Sequence, residues 1–238
     1  MAQTARQVAG AAAAALVQPG MVLGLGTGDT AACFIRALAS RATAEPGLRA
    51  LRCVATSTRS AQLGAELGLS IVDLDSLDLT LERPIDMTVD GADEIDPQLQ
   101  LVKGAGGALL FEKLVATASR KLVIVADRGK QVASLGEKRL LPVEIVAFGA
   151  QRTLARLQRQ PGVTSATLRL NAGAPYITDG GHHIVDLGFS LSPQLSAATL
   201  HDRLKALPGV VETGFFLGEA SQVLIGEDDG SVIDLSRG

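Results

Sequence analysis

The chain has 238 residues, enough for one large domain or a main domain with a smaller companion. Hydrophobic residues make up 47%, aromatics only 3%, and tryptophan is absent, so Ala, Val, Leu and Gly must do the packing, as stacked α/β layers allow. A net charge of −3 leaves no electrostatic footprint for nucleic acid or an anionic membrane, and no stretch approaches the roughly 20 apolar residues of a spanning helix. A cytoplasmic, soluble protein is expected, and any anionic ligand must be held by local groups.

The opening MAQTARQVAGAAAAALVQPG superficially matches the apolar core of an export signal. It is only weakly apolar, and Gln18-Pro19-Gly20 leads straight into a strand pattern, so an ordinary N-terminal helix is expected. Met21 to Leu25 reads as a strand and Thr30 to Arg41 as a helix. Leu51 to Ala55 and Thr58 to Gly68 repeat that pair, and Ser70 to Leu74 is a further short strand. Ile85 to Val89 runs into an acidic loop, Gly107 to Ser119 is helical, and Lys121 to Ala126 is strongly strand-like. Such alternation predicts βαβ units and a Rossmann-like parallel sheet covered on both faces. Ligands of these sheets lie beyond the carboxyl ends of the strands, where the polar motifs of this chain also fall.

From Leu140 the pattern changes. LPVEIVAF, AQRTLARLQR, SATLRL, PYITDGGHHIVDL and SAATLHDRLKAL read as β-α-β-β-α, a smaller α+β domain over residues 139–210 and a natural oligomer contact. QVLIG and SVIDL, joined around Glu227 to Gly230, read as a hairpin that returns residues 211–238 to the α/β domain of residues 1–138. Cys33 and Cys53 lack metal-ligand spacing and read as small buried side chains. His182 and His183 have no third ligand nearby and are expected to face solvent or an interface, and His201 to lie on a helix surface.

Two glycine-rich turns carry the candidate chemistry. Gly24-Leu25-Gly26-Thr27-Gly28-Asp29-Thr30 sits between a strand and a helix, where backbone N–H groups and a helix N-terminus can hold an anion. It lacks the Lys-Ser/Thr pair of a nucleotide-phosphate loop and has Asp29 where a dinucleotide fingerprint needs its third glycine. The same turn could equally use its glycines for steric reasons alone, and Thr56-Ser57-Thr58, at the next strand end, could bind phosphate or cap a helix. The second stretch, residues 90–113, reads DGADEIDPQLQLVKGAGGALLFEK. Asp90, Asp93 and Glu94 precede Lys103, a turn of small residues, and Glu112. Clustered acids admit a metal, but no His or Cys is near and the following lysine argues against one. A lysine leading a nest of N–H groups suits an oxyanion.

The set GLGTGDT, DGADEID, LVKGAGGALLFEK and VIVADRGK closely resembles type A ribose-5-phosphate isomerase, and QPGMVLGLGTG, LPVEIV and GVVETGFF extend the likeness over nearly the whole chain. The resemblance implies cofactor-free, metal-free interconversion of ribose 5-phosphate and ribulose 5-phosphate through a cis-enediol, in a homodimer or homotetramer. It implies Glu112 as the base between C2 and C1, with Asp90 and Lys103 assisting ring opening and proton movement on the sugar oxygens. Asp90, Gly91, Ala92 and Asp93 would bind along the sugar. Lys103 and the amides from Gly104, Ala105 and Gly106 to Gly107 would meet the developing enediolate. Thr27, Gly28, Asp29 and Thr30, with Lys130, would take the phosphate end.

Three positions depart from the family pattern. Asp29 stands where serine is usual, and is expected to cap the helix beginning at Thr30, at a cost to phosphate affinity. Arg6 stands where relatives often carry lysine, and Ala105 replaces a common glycine. A sugar-phosphate sensor without turnover would have no need for Glu112. An amino-sugar phosphate deaminase would call for a histidine near the site, and none occurs before residue 182.

Overall fold

The computed structural model describes residues 3–236. The first half of the chain runs α1 (Ala5–Ala15), β1 (Val22–Leu25), α2 (Asp29–Ala44), β2 (Arg52–Ala55), α3 (Thr58–Glu66), β3 (Ser70–Ile71), β4 (Met87–Asp90), β5 (Glu94–Ile95), β6 (Leu101–Val102), α4 (Leu109–Thr117) and β7 (Leu122–Asp127). Then come β8 (Leu141–Ile145), α5 (Ala150–Leu157), β9 (Val163–Leu168), β10 (Leu170–Asn171), β11 (Ala174–Pro175), β12 (His183–Phe189), α6 (Ala197–Lys205), β13 (Val210–Thr213), β14 (Phe215–Phe216), β15 (Ala220–Gly226) and β16 (Val232–Ser236). Among the described residues no helix is long and apolar enough to cross a membrane.

The elements form two compact units. The larger holds the chain through Ala92, Phe111–Lys130 and the chain from Gly218 onward. Its seven-stranded sheet has the order β16-β15-β7-β4-β1-β2-β3, parallel throughout except for the β15–β16 hairpin. Short apolar strands with buried residues on both faces, such as Val22–Leu25 and Leu122–Ala126, need helices on either side. One face receives α1 and α2, which bury Ala9, Ala13, Phe34, Ile35 and Leu38 against Leu23, Leu25, Val123 and Val125. α1 starts at Thr4, whose hydroxyl accepts the Gln7 N–H while the Gln7 side chain accepts the Thr4 N–H, a reciprocal capping box.

The smaller unit holds Asp93–Leu110 and Gln131–Leu217. Its antiparallel sheet β13-β8-β12-β9 packs Leu141, Val143, Ile145, Val185 and Leu187 with Leu157 of α5 and Leu200 and Leu204 of α6. Phe189 and Phe215 meet edge to face, 5.2 Å between centroids. A second small sheet, β14-β6-β5, belongs to the same unit.

This division adds residues 93–110, 131–138 and 211–217 to the segment 139–210 that the sequence pattern marks off. The reasons are non-local. β13 pairs with β8 and β14 with β6, while the buried Glu94 carboxylate accepts N–H groups from Gly136, Lys138 and Arg139 at 2.6, 2.5 and 2.8 Å. The strand expected through PYITDGGHHIVDL begins only at His183. Before it, Thr178 and His182 close a loop through Thr178 N–H to the His182 carbonyl, 2.9 Å.

Candidate active site

In the larger sheet the strand order turns back at β1, which lies between β2 and β4 and parallel to both. The crevice beyond the carboxyl ends at such a reversal is where open α/β sheets bind ligands. Here β1 delivers Gly26-Thr27-Gly28 and β4 delivers Asp90-Gly91. Asp90 is 1% exposed, and its Oδ1 accepts the N–H groups of Thr27 (3.0 Å) and Gly91 (2.7 Å). Gly26 makes this possible: a Cβ there would overlap the Asp90 side chain and its Cα. The Thr27 hydroxyl lies 2.8 Å from both Thr56 Oγ1 and Ser57 Oγ at the end of β2. Ser57 also caps α3 in a capping box with Ser60, so this hydroxyl group serves the helix and lines the turn at once.

α2 begins one residue earlier than the pattern suggests. Gly28 (φ 110°) is its N-cap residue without a side-chain cap bond, and Asp29 is the first helical residue. The expectation that Asp29 caps the helix is therefore corrected. Its carboxylate points outward to two guanidinium groups, Arg6 Nη1 at 3.4 Å and Arg59 Nη2 at 3.2 Å, and Arg6 also reaches Asp127 Oδ2 at 3.2 Å. An acid in a helix's first turn also meets the positive end of the macrodipole, which rewards Asp29 without capping. Thr30 is buried behind it. Lys130 is half-buried at the end of a short 3₁₀ turn, Arg128–Lys130, that follows β7. Glu112 occupies the first turn of α4 and is 5% exposed.

The chain leaves the larger unit between Ala92 and Asp93 and rejoins it between Leu110 and Phe111, so Asp93 and residues 103–106 belong to the smaller unit. There Lys103 is 2% exposed, its N–H donating to the Gly214 carbonyl at 2.8 Å and its ammonium 5.4 Å from the Phe216 ring centre. The amides of the following turn are not all available. Gly107 N–H closes onto the Gly104 carbonyl at 3.0 Å and Ala105 N–H donates to Asp93 Oδ2 at 2.9 Å. Among the described residues only the Gly104 and Gly106 N–H groups of this turn lack a protein acceptor. Asp93, expected along the sugar, also holds the backbone of the turn through its Oδ2.

Glu94, third acid of the DGADEID run, is a structural anchor through the three N–H bonds already described. His182, expected to face solvent or an interface, is partly exposed and tied down on its inner side. Its Nδ1 lies 3.0 Å from Oε1 of the buried Glu144, which also accepts the Thr178 hydroxyl at 2.8 Å, and His183 Nδ1 lies 2.9 Å from the Tyr176 carbonyl. His201 is half-buried against the Thr213 hydroxyl at 2.7 Å. Cys53 is buried in the sheet, which pushes its thiol up to about 12, and Cys33 is only partly covered. Among the described residues no group of three His, Cys, Asp or Glu side chains could hold a metal ion. Arg59, Arg169 and Tyr176 touch candidate residues without a local sequence signal. Arg59 could have been suspected only from its place in the first turn of α3.

The glycine turn and helix N-terminus beyond β1, the buried Asp90 beyond β4 and the buried Glu112 opening α4 set an anion-compatible backbone and two carboxylates in one sheet unit. The relatives of this chain are isomerases of a phosphorylated sugar. The description ribose 5-phosphate isomerase A (phosphoriboisomerase A) belongs to the family model that matches residues 52–230, and this chain is a member of that family. It is 47% identical over 234 residues to a ribose-5-phosphate isomerase A of Ruegeria pomeroyi, covering 96% of this chain and 85% of the relative. Its structure is similar to that of ribose 5-phosphate isomerase A from Methanocaldococcus jannaschii, with a TM-score of 0.88 at 34% identity over 98% of each chain. It is also similar to a D-ribose-5-phosphate isomerase in complex with phospho-erythronic acid, with a TM-score of 0.89 at 32% identity over 98% of this chain and 97% of the other.

Proposed function

We propose that the protein interconverts D-ribose 5-phosphate and D-ribulose 5-phosphate through a cis-enediol, with Glu112 moving the proton between C2 and C1. Family membership supports the substrate pair. The observation that carries the mechanism is the burial of Glu112, Asp90 and Lys103 at 5, 1 and 2% exposure, because charged groups are withdrawn from water at high cost unless they act on something or one another.

The reaction takes a proton from C2 of the open-chain aldose, leaving an enediolate, and returns it to C1. In parallel the O2 proton passes to O1. One carboxylate serves both carbons because they present their protons on the same face of the planar enediol. A positioned base contributes about 10²–10⁴-fold to such a step. Asp90 and Lys103 assist ring opening and the transfer between sugar oxygens, and the Gly104 and Gly106 amides oppose the oxyanion charge, each such donor being worth roughly 3–4 kcal/mol in other enzymes. Gly91, Ala92 and Asp93 bound the sugar side. Thr27 to Thr30, at the α2 N-terminus, take the phosphate with Arg6 and Lys130. The same reading gives a cytoplasmic homo-oligomer, supported by Phe148, Ile177 and Leu170, large apolar side chains 93, 65 and 58% exposed on the smaller unit.

The test is turnover of ribose 5-phosphate by purified protein in the presence of chelator, with Glu112→Gln alongside. The expected loss of kcat is about 10³-fold with KM little changed. A variant within tenfold of wild type would remove Glu112 from the role of base.

A further inference from the structure

We propose that Arg169 is a positioning residue for the isomerisation, fixing the peptide plane that aims the Gly106 N–H. The proposal deepens the reading of the Gly104–Gly107 turn as the enediolate site and rests on it. Every contact it uses lies within the smaller unit.

Arg169 follows β9 and is held along its backbone, its N–H donating to the Ile184 carbonyl (2.8 Å) and its carbonyl accepting the Tyr176 N–H (2.9 Å). Its guanidinium forms a two-point fork with Asp186 on β12. Nε donates to Oδ2 at 2.9 Å and Nη2 donates to Oδ1. Both side chains are largely buried, 16 and 22% exposed, and a forked pair of this kind sets orientation as well as charge. The remaining nitrogen, Nη1, donates to two successive carbonyls of the candidate turn, Gly104 at 3.0 Å and Ala105 at 3.1 Å.

In a trans peptide the C=O and the next N–H point in opposite directions. Holding the Ala105 carbonyl therefore directs the Gly106 N–H away from Arg169, and this is one of the turn's N–H groups without a protein acceptor among the described residues. The preceding plane is fixed at both ends, its Gly104 carbonyl by Arg169 and its Ala105 N–H by Asp93. Tyr176 closes the same side: its hydroxyl is 3.4 Å from the Gly106 carbonyl, and its ring fills the space a Cβ on Gly107 (φ +82°) would need. The Arg169 guanidinium lies 5.9 Å from that ring's centre. Small residues at 104–107 would otherwise let the 105–106 peptide rotate and present a carbonyl oxygen, which repels an oxyanion. A cation on the Ala105 carbonyl also draws electrons from that peptide and makes its N–H a stronger donor.

The experiment is Arg169→Met in the full chain, read by steady-state kinetics, near-ultraviolet dichroism at the assay temperature, and the affinity of a phosphorylated hydroxamate that mimics the enediolate. Loss of one oxyanion donor in other enzymes costs about 10²–10³-fold, so misaiming one here should lower kcat by about 30–100-fold. KM should stay within about threefold, and the mimic should weaken by the same factor as kcat, since only the charged intermediate uses this donor. An unchanged kcat, or equal weakening of mimic and substrate, overturns the proposal. If Arg169→Met does not fold, Asp186→Asn decides: it leaves the guanidinium without its charged fork and should reduce kcat about fivefold at unchanged KM, whereas an unchanged kcat again overturns the idea. Glu112→Gln separates the two levels. Full activity in that variant sinks the reading of the site, while an inactive Glu112→Gln beside an active Arg169 variant sinks the brace alone.

Discussion

The turn at Gly24–Thr30 is shaped by what adjoins it in the chain and in the sheet, whereas the turn at Gly104–Gly107 hangs on side chains as far as 70 residues away. In the first, β1 ends, α2 begins, and Gly26 lets Asp90 of the neighbouring strand approach closely enough to take the Thr27 N–H. In the second, Asp93, Arg169 and Tyr176 grip the backbone and leave two amides of the turn open. A backbone shaped by regular elements tolerates changes in distant side chains but no added atom at its closest approach. A backbone shaped by side chains answers instead to each of those side chains, however far away in the chain it lies.

The sharpest way to break that comparison is one methyl group moved in each turn. Gly26→Ala places a Cβ within the Asp90 side chain and against its Cα, atoms of a central strand that cannot withdraw. Overpacking of this kind costs about 1–3 kcal/mol and displaces Asp90, so kcat/KM should fall by at least about 100-fold together with Tm. Ala105→Gly, in the turn held by side chains, should leave kcat/KM within about twofold. Equal sensitivity at both sites, measured by steady-state kinetics, would show that the two turns are held alike.

Glu94 sharpens the same point for stability. Its carboxylate is fully buried and receives three backbone N–H groups from residues more than 40 positions ahead. Glu94→Gln replaces an oxygen with an NH₂ that faces N–H donors, and about 2–4 kcal/mol of stability should be lost. Hydrogen exchange along residues 131–145 should quicken more than exchange in β1 and β4. Uniform quickening would mean that Glu94 does not anchor the smaller unit locally.

The same distinction explains what could be read from the sequence. The parallel sheet, its helices and the glycine turn beyond β1 were legible because each rests on a local pattern: an apolar run, a turn, a helical period. Asp90, Asp93 and Glu94 of DGADEID looked equivalent in the sequence, yet the first meets the β1 turn, the second holds the Ala105 amide, and the third anchors the 136–139 loop. Their roles depend on distant backbone that no spacing reveals. Arg169 was illegible for the same reason, and the two-residue strands β5, β6 and β14 are too short for any period to show.

Asp29 offers the smallest effect and the most direct probe of the first turn. Its carboxylate is paired with Arg6 and Arg59, and all three side chains are well exposed. Exposed pairs of this type contribute little to stability, so Asp29→Ser should leave Tm nearly unchanged. Its effect should appear in binding instead. The substitution removes a negative charge from the α2 N-terminus, where the phosphate dianion is proposed to sit, and releases two arginines to face it. A serine hydroxyl there can also donate to a phosphate oxygen. KM for ribose 5-phosphate should fall about two- to fivefold at constant kcat, with a larger drop at low ionic strength where charge is least screened. The change should vanish in Arg6→Gln/Arg59→Gln if the released arginines are its source. If Asp29→Ser instead leaves KM unchanged or raises it, the aspartate is not opposing phosphate, and its arginine pairs serve to hold α1 and α3 against the start of α2.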